Sequence, residues 1–118
     1  MKKFLACLVA LGAFAAWSHA ESAPSSQVTV TGEVLDMACY LDHGAHGAGH
    51  AGCAAKCISS GLPVGLKTAD GTVYLLIGAH KPLNDQLAAY AGKTISVQGK
   101  VASRDGINLL ENASVVKD

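Results

Sequence analysis

Polar and apolar residues alternate along most of this chain, and that period of two is satisfied by strands. In the first such stretch, from Gln27, Val28, Val30 and Val34 face one way while Thr29, Thr31 and Glu33 face the other. Gly32 falls in its middle, where a missing side chain permits a bulge or a sharp coil. Val64 to Lys67 and Thr72 to Ile77 are two further apolar runs. Asp70-Gly71 between them supplies the positive backbone angles of a tight hairpin, so these runs are expected to pair antiparallel.

The period changes once after that. Leu83, Leu87 and Tyr90 or Ala91 recur at helical spacing, Pro82 suits a first turn and Gly92 suits a C-terminal cap, which predicts a helix over residues 82–91. Strand character returns at Thr94 to Val101, with Ile95, Val97 and Val101 on one face. Ser103-Arg104-Asp105-Gly106 then turns the chain into a last strand from Ile107 to about Val116. The expected core is Val28, Val30, Val73, Leu75, Ile95 and Val97, with Leu83 and Leu87 closing one end.

Five strands with one helix between the third and fourth resemble the OB-fold, a five-stranded Greek-key barrel. By element order and the glycine in the first strand, residues 27–117 are similar to small OB-fold domains exported by bacteria. The resemblance implies a mainly β architecture and no particular activity, because such folds host many. The chain departs from the plain domain by an insertion, residues 36–61, between the first two strands.

The N-terminus reads as an export signal. Lys2 and Lys3 precede an apolar run from Phe4 to Trp17, and Ser18-His19-Ala20 offers small residues where a signal peptidase cuts. Cleavage there leaves a Ser/Ala/Pro-rich lead-in, residues 21–26, expected to be disordered, and one domain, residues 27–118. A periplasmic or secreted location follows, with no stable membrane insertion after cleavage. Lys plus Arg and Asp plus Glu number 9 each in the whole chain, and loss of Lys2 and Lys3 leaves a mild acidic excess. That balance, without a basic stripe, argues against nucleic acid as a partner.

Chemistry is concentrated in the insertion. Cys39 to Cys57 reads CYLDHGAHGAGHAGCAAKC and contains every cysteine except Cys7. Gly61 and Pro63 mark a helix stop, and Ala51, Ala54, Ala55 and Lys56 suit a helix before it. If residues 50–60 are helical, His50, Cys53 and Cys57 stand at i, i+3 and i+7, within roughly 60° of arc on one face. Cys39, at the end of the first strand, can supply a fourth donor from across the gap. Thiolate and imidazole together favour a copper or zinc ion, whereas hard cations want carboxylates. The Cys-x3-Cys element is similar to that of exported copper-delivery proteins and electron-transfer copper domains, over five residues only.

His43 and His46 lie on a Gly/Ala background that reads as a flexible loop, able to add a ligand or to capture an ion first. Asp36 and Asp42 flank Cys39 and can act as ligands or orient a histidine, although an aspartate at a strand end more commonly caps a turn. Two alternatives stay open for the thiols. Cys39 bonded to Cys53 or Cys57 would staple the insertion to the barrel, worth about 2–4 kcal/mol, and make a ligand- or protein-binding module with a spare thiol. A thiol redox role is the other. An enzyme would need a nucleophile, base and orienting group, which Cys39, His43 or His50 and Asp36 can be drawn as, but Gly-rich surroundings preorganise such a set poorly. The sequence therefore reads as a binding protein for copper or zinc, with a periplasmic protein as a further expected partner, and not as an enzyme.

Overall fold

The computed structural model describes residues 27–117. The expected signal peptide and residues 21–26 lie outside the described residues. Five strands, β1 (Val28–Asp36), β2 (Val64–Lys67), β3 (Val73–Leu76), β4 (Thr94–Arg104) and β5 (Ile107–Val115), form a closed barrel in the order β1-β2-β3-β5-β4. Three α-helices accompany them: α1 (Met37–His43) and α2 (Ala51–Ser59) between β1 and β2, and α3 (Asn84–Leu87) between β3 and β4. The protein is thus a small OB-like β barrel carrying two helices in its first connection. Among the described residues, no helix is long and apolar enough to cross a membrane.

β1 closes the barrel by serving two partners. Val28 to Glu33 pairs with β4, and Glu33 to Asp36 pairs with β2. The changeover falls next to Gly32, where a side chain would collide with the Lys67 carbonyl, so the glycine lets β2 approach β1 this closely. The β4–β5 hairpin turns on Asp105 and Gly106, with φ of 52° and 83°. Positive angles at both central residues match strand twist, and Asp-Gly supplies them at low cost. The remaining closure, β3 beside β5, is parallel, with Leu75 opposite Leu109 and Leu76 opposite Leu110.

The core differs from the alternation pattern at its ends and along β3, where Leu76 is buried and Tyr74 packs against the cluster in place of the expected Val73 and Leu75. Val34, Leu66, Leu87, Val97 and Leu110 are buried, but Val28 and Val101 are each 40% exposed, because the first residues of β1 and the outer part of β4 extend past the packed interior. Val30 and Ile95 are half-buried and pack against the core cluster. The predicted helix over residues 82–91 is shorter than its apolar spacing suggests. It begins after Leu83, and residues 88–90 tighten into a 3-10 turn.

The insertion is built into one end of the barrel. Ala54 and Ile58 of α2 are 2% and 0% exposed and belong to the same buried cluster as Val34, Leu87 and Ala91. Asn84 of α3 donates its side-chain amide to the carbonyls of Ile58 and Leu62, at 2.8 and 2.7 Å, which ties the end of α2 to the connection between β3 and β4. Helix α2 therefore contributes to the core that the sequence assigned to strands and to Leu83 and Leu87 alone.

Candidate metal centre

The position of the site follows from where the insertion leaves and rejoins the barrel. Asp36, the last residue of β1, lies opposite Val64, the first residue of β2. The Met37 N–H donates to the Pro63 carbonyl at 3.0 Å, so both ends of the excursion are held together. Helices α1 and α2 must then fold back on each other over one barrel end. Asp36 starts α1: its Oδ1 accepts from the Ala38 N–H at 3.0 Å, supplying the oxygen that an unsatisfied first-turn donor requires. Cys39 consequently sits in the first turn of α1, and not at the strand end.

His50 ends a 3-10 turn, Ala48–His50, and stands at the N-terminal boundary of α2. Cys53 and Cys57 follow along α2. Among the described residues, two groups of side chains have donor atoms within 4.8 Å of one another. One is Cys39, His50 and Cys53; the other is Asp36, Cys39 and Cys57. Cys39 is common to both, so these five side chains form one continuous cluster that can hold a metal ion. Its interior is Asp36, 1% exposed, while Cys39, His50 and Cys57 are half-buried and Cys53 is exposed. Cys39, Cys53 and Cys57 all carry free thiols.

Two polar atoms at the centre are buried without a hydrogen-bond partner: Asp36 Oδ2 and His50 Nε2. They face each other at 3.8 Å, beyond hydrogen-bond length. The electrostatics are those of a carboxylate surrounded by weak donors. Burial acts to raise the Asp36 pKa, but hydrogen bonding from Cys39, the Ala38 N–H and Cys57 together outweighs it and leaves the carboxyl below its ordinary value. Conversely, hydrogen bonding to Asp36, followed by burial and the Asp36 charge, pushes the Cys39 thiol up to about 12. Burial, followed by the Asp36 charge, raises that of Cys57. The metal-free thiols of Cys39 and Cys57 are therefore held as S–H donors at neutral pH, and a bound cation would have to displace those two protons.

His43 and His46 are placed elsewhere. His43 Nε2 lies 3.0 Å from Asp42 Oδ2, with both side chains on the surface. His46 Nδ1 lies 3.4 Å from Glu33 Oε2 and its ring meets Tyr40 edge-on, with centroids 6.3 Å apart. The Gly47 N–H also donates to Glu33, and Lys67 Nζ lies 5.3 Å from the Tyr40 ring centroid. The segment expected to be a flexible loop is thus anchored to β1 through Glu33. Asp36 is the residue whose place at the centre sequence reasoning underrated. A cap was the simpler reading of an aspartate before a helix, and it accounts for one oxygen of the two.

No protein family, curated protein or solved structure matches this chain. Fold and site therefore have to carry the functional argument by themselves.

Proposed function

We propose that this protein is an exported metal-binding protein that holds a copper or zinc ion through Cys39, His50, Cys53 and Cys57, to sequester it, deliver it or use it structurally. The observation that carries this reading is the sharing of Cys39 between two groups of closely spaced donors. His50, Cys53 and Cys57 each bring a donor atom within 4.8 Å of the Cys39 sulfur, a concentration that core packing does not require. Three thiols and an imidazole suit Cu(I) and Zn(II). The exposure of Cys53 supports exchange of the ion with solvent or a partner, and the export signal read in the sequence supports a periplasmic setting.

The test is a titration of the fully reduced protein, lacking residues 1–20, against a chromophoric chelator with Cu(I) and, separately, Zn(II). The expected result is about one equivalent bound, with protons released as thiols ionise. No detectable binding of either ion after complete reduction would overturn the reading. One observation favours a second reading: the thiols of Cys39 and Cys57 are near neighbours on different helices. Their oxidation would staple α1 to α2 and leave Cys53 free. A count of one free thiol in protein isolated under air, against three after reduction, is the signature of that form.

A further inference from the structure

The thiols and His50 leave one feature of the cluster unexplained, namely a carboxylate at its centre. Among the described residues, Asp36 is the charged residue that is buried, 1% exposed. Its Oδ1 caps α1 through the Ala38 N–H at 3.0 Å, a task that Ser, Thr or Asn performs as well. Capping does not explain why a second oxygen, Oδ2, is buried with only the weak thiol donors of Cys39 and Cys57 about the carboxylate, none in hydrogen-bond geometry to it, and is aimed at His50 Nε2, which is buried and unpartnered. Two such atoms facing each other are costly in a protein interior unless something binds both.

The spacing says what that something is. At 3.8 Å the two atoms are too far apart for a hydrogen bond. Two donors about 2.1 Å from a tetrahedral zinc ion lie about 3.4 Å apart, so a small adjustment brings both into one coordination sphere. The Cys39 and Cys57 sulfurs and a carboxylate oxygen of Asp36 are within 4.8 Å of one another.

We infer that Asp36 is an oxygen ligand, that the set is Asp36, Cys39, His50 and Cys57, and that the site selects a divalent ion of the zinc class over Cu(I). This rests on the metal-binding reading above and puts Asp36 in the place that reading gave to Cys53. Its reason is chemical. Cu(I) is satisfied by thiolates and gains little from a carboxylate, whereas Zn(II) accepts oxygen, nitrogen and sulfur together. A divalent charge also compensates a buried carboxylate and two thiolates better than a monovalent one does. Cys53, exposed and outside this set, is left as the outer donor beside Cys39 and His50.

The discriminating variant is Asp36→Asn, which retains an oxygen to cap α1 and loses the charge and ligand strength of the carboxylate. In chelator competition on the reduced protein, Zn(II) affinity should fall at least about tenfold. Cu(I) affinity should change by less than about threefold, since its donors remain. Equal losses for both ions, or no loss for zinc, would overturn the proposal while leaving metal binding itself intact. Failure of the unsubstituted protein to bind either ion would overturn both readings. X-ray absorption of the zinc-loaded unsubstituted protein does not depend on the variant folding. Two nitrogen or oxygen neighbours near about 2.0 Å with two sulfurs near about 2.3 Å are expected. Three sulfurs with a single nitrogen would show that Asp36 is not a ligand.

Discussion

Cys39 occupies the place where the loss of one atom does most harm. Its sulfur belongs to both donor groups, while Cys53 belongs to one and is exposed. Cys39→Ser should therefore weaken metal binding more than Cys53→Ser. His43→Ala should leave it nearly unchanged, because His43 is paired with Asp42 at the surface. The order Cys39, then Cys53, then His43 is what chelator competition should return. Equal losses at all three would mean a diffuse chelating loop with no built centre. The identity of Cys39, His50, Cys53 and Cys57 as candidates was legible because thiols and imidazoles crowd one short segment. Their arrangement was less so. Helical spacing put His50, Cys53 and Cys57 on one face, but it could not say that Cys39 rides on a helix of its own. Nor could it say that Asp36, three residues earlier, aims its spare oxygen inward.

Helix α2 has two jobs, carrying ligands on one face and closing the barrel with the other. Ile58 has no exposure and packs with Val34 and Leu87, so Ile58→Ala should cost about 2–5 kcal/mol by lost burial and cavity formation. Chemical denaturation of the metal-free protein measures this cost, which binding would otherwise mask. A loss under about 1 kcal/mol would mean that α2 is only a passenger on the barrel. At the opposite hairpin, Asp70 accepts from the Thr68 hydroxyl and, at 3.1 Å, from the Thr72 N–H. These bonds hold its pKa below the ordinary carboxylate value. A folded-state pKa that is depressed adds stability above the unfolded value of about 3.8, and that contribution fades as pH falls through the folded value. Asp70→Asn should flatten the acid side of the stability profile below pH 4 relative to the parent, in a direct comparison of melting curves. The hairpin itself was readable from Asp70-Gly71. Helix α3 was readable in place but not in length, since apolar spacing cannot distinguish an α turn continued from one tightened into a 3-10 turn.

At the level of the whole molecule, the order of elements along the chain followed from alternation and turn residues, and a barrel of five strands with a helix before β4 is what they compose. Two closures were invisible to any local pattern: β1 dividing its pairing between β4 and β2, and β3 lying parallel to β5. Both join residues far apart in sequence, and no periodicity records them. The same distinction decides how separable the insertion is. Residues 43–52 are exposed or half-buried, and the segment meets the barrel through Glu33, which accepts from the Gly47 N–H, and through His50, whose Nε2 faces Asp36 at 3.8 Å. Residues 53–59 carry Ala54 and Ile58 into the core. Replacing residues 43–52 with a shorter Gly/Ser loop should therefore preserve the β circular dichroism, since loop length costs little and the core is untouched. The melting temperature should fall by about 4–8 °C, the equivalent of roughly 1 kcal/mol in a domain of this size, because the Glu33 anchor and the first turn of α2 are lost. Metal affinity should fall much further, because His50 leaves with the loop. The comparison must be made on reduced protein, so that a Cys39–Cys57 bond cannot hold α1 to α2 in its place. Loss of β structure in that variant would mean that the 3-10 turn and its neighbours belong to the folding core, and the barrel could not then be treated as standing without them.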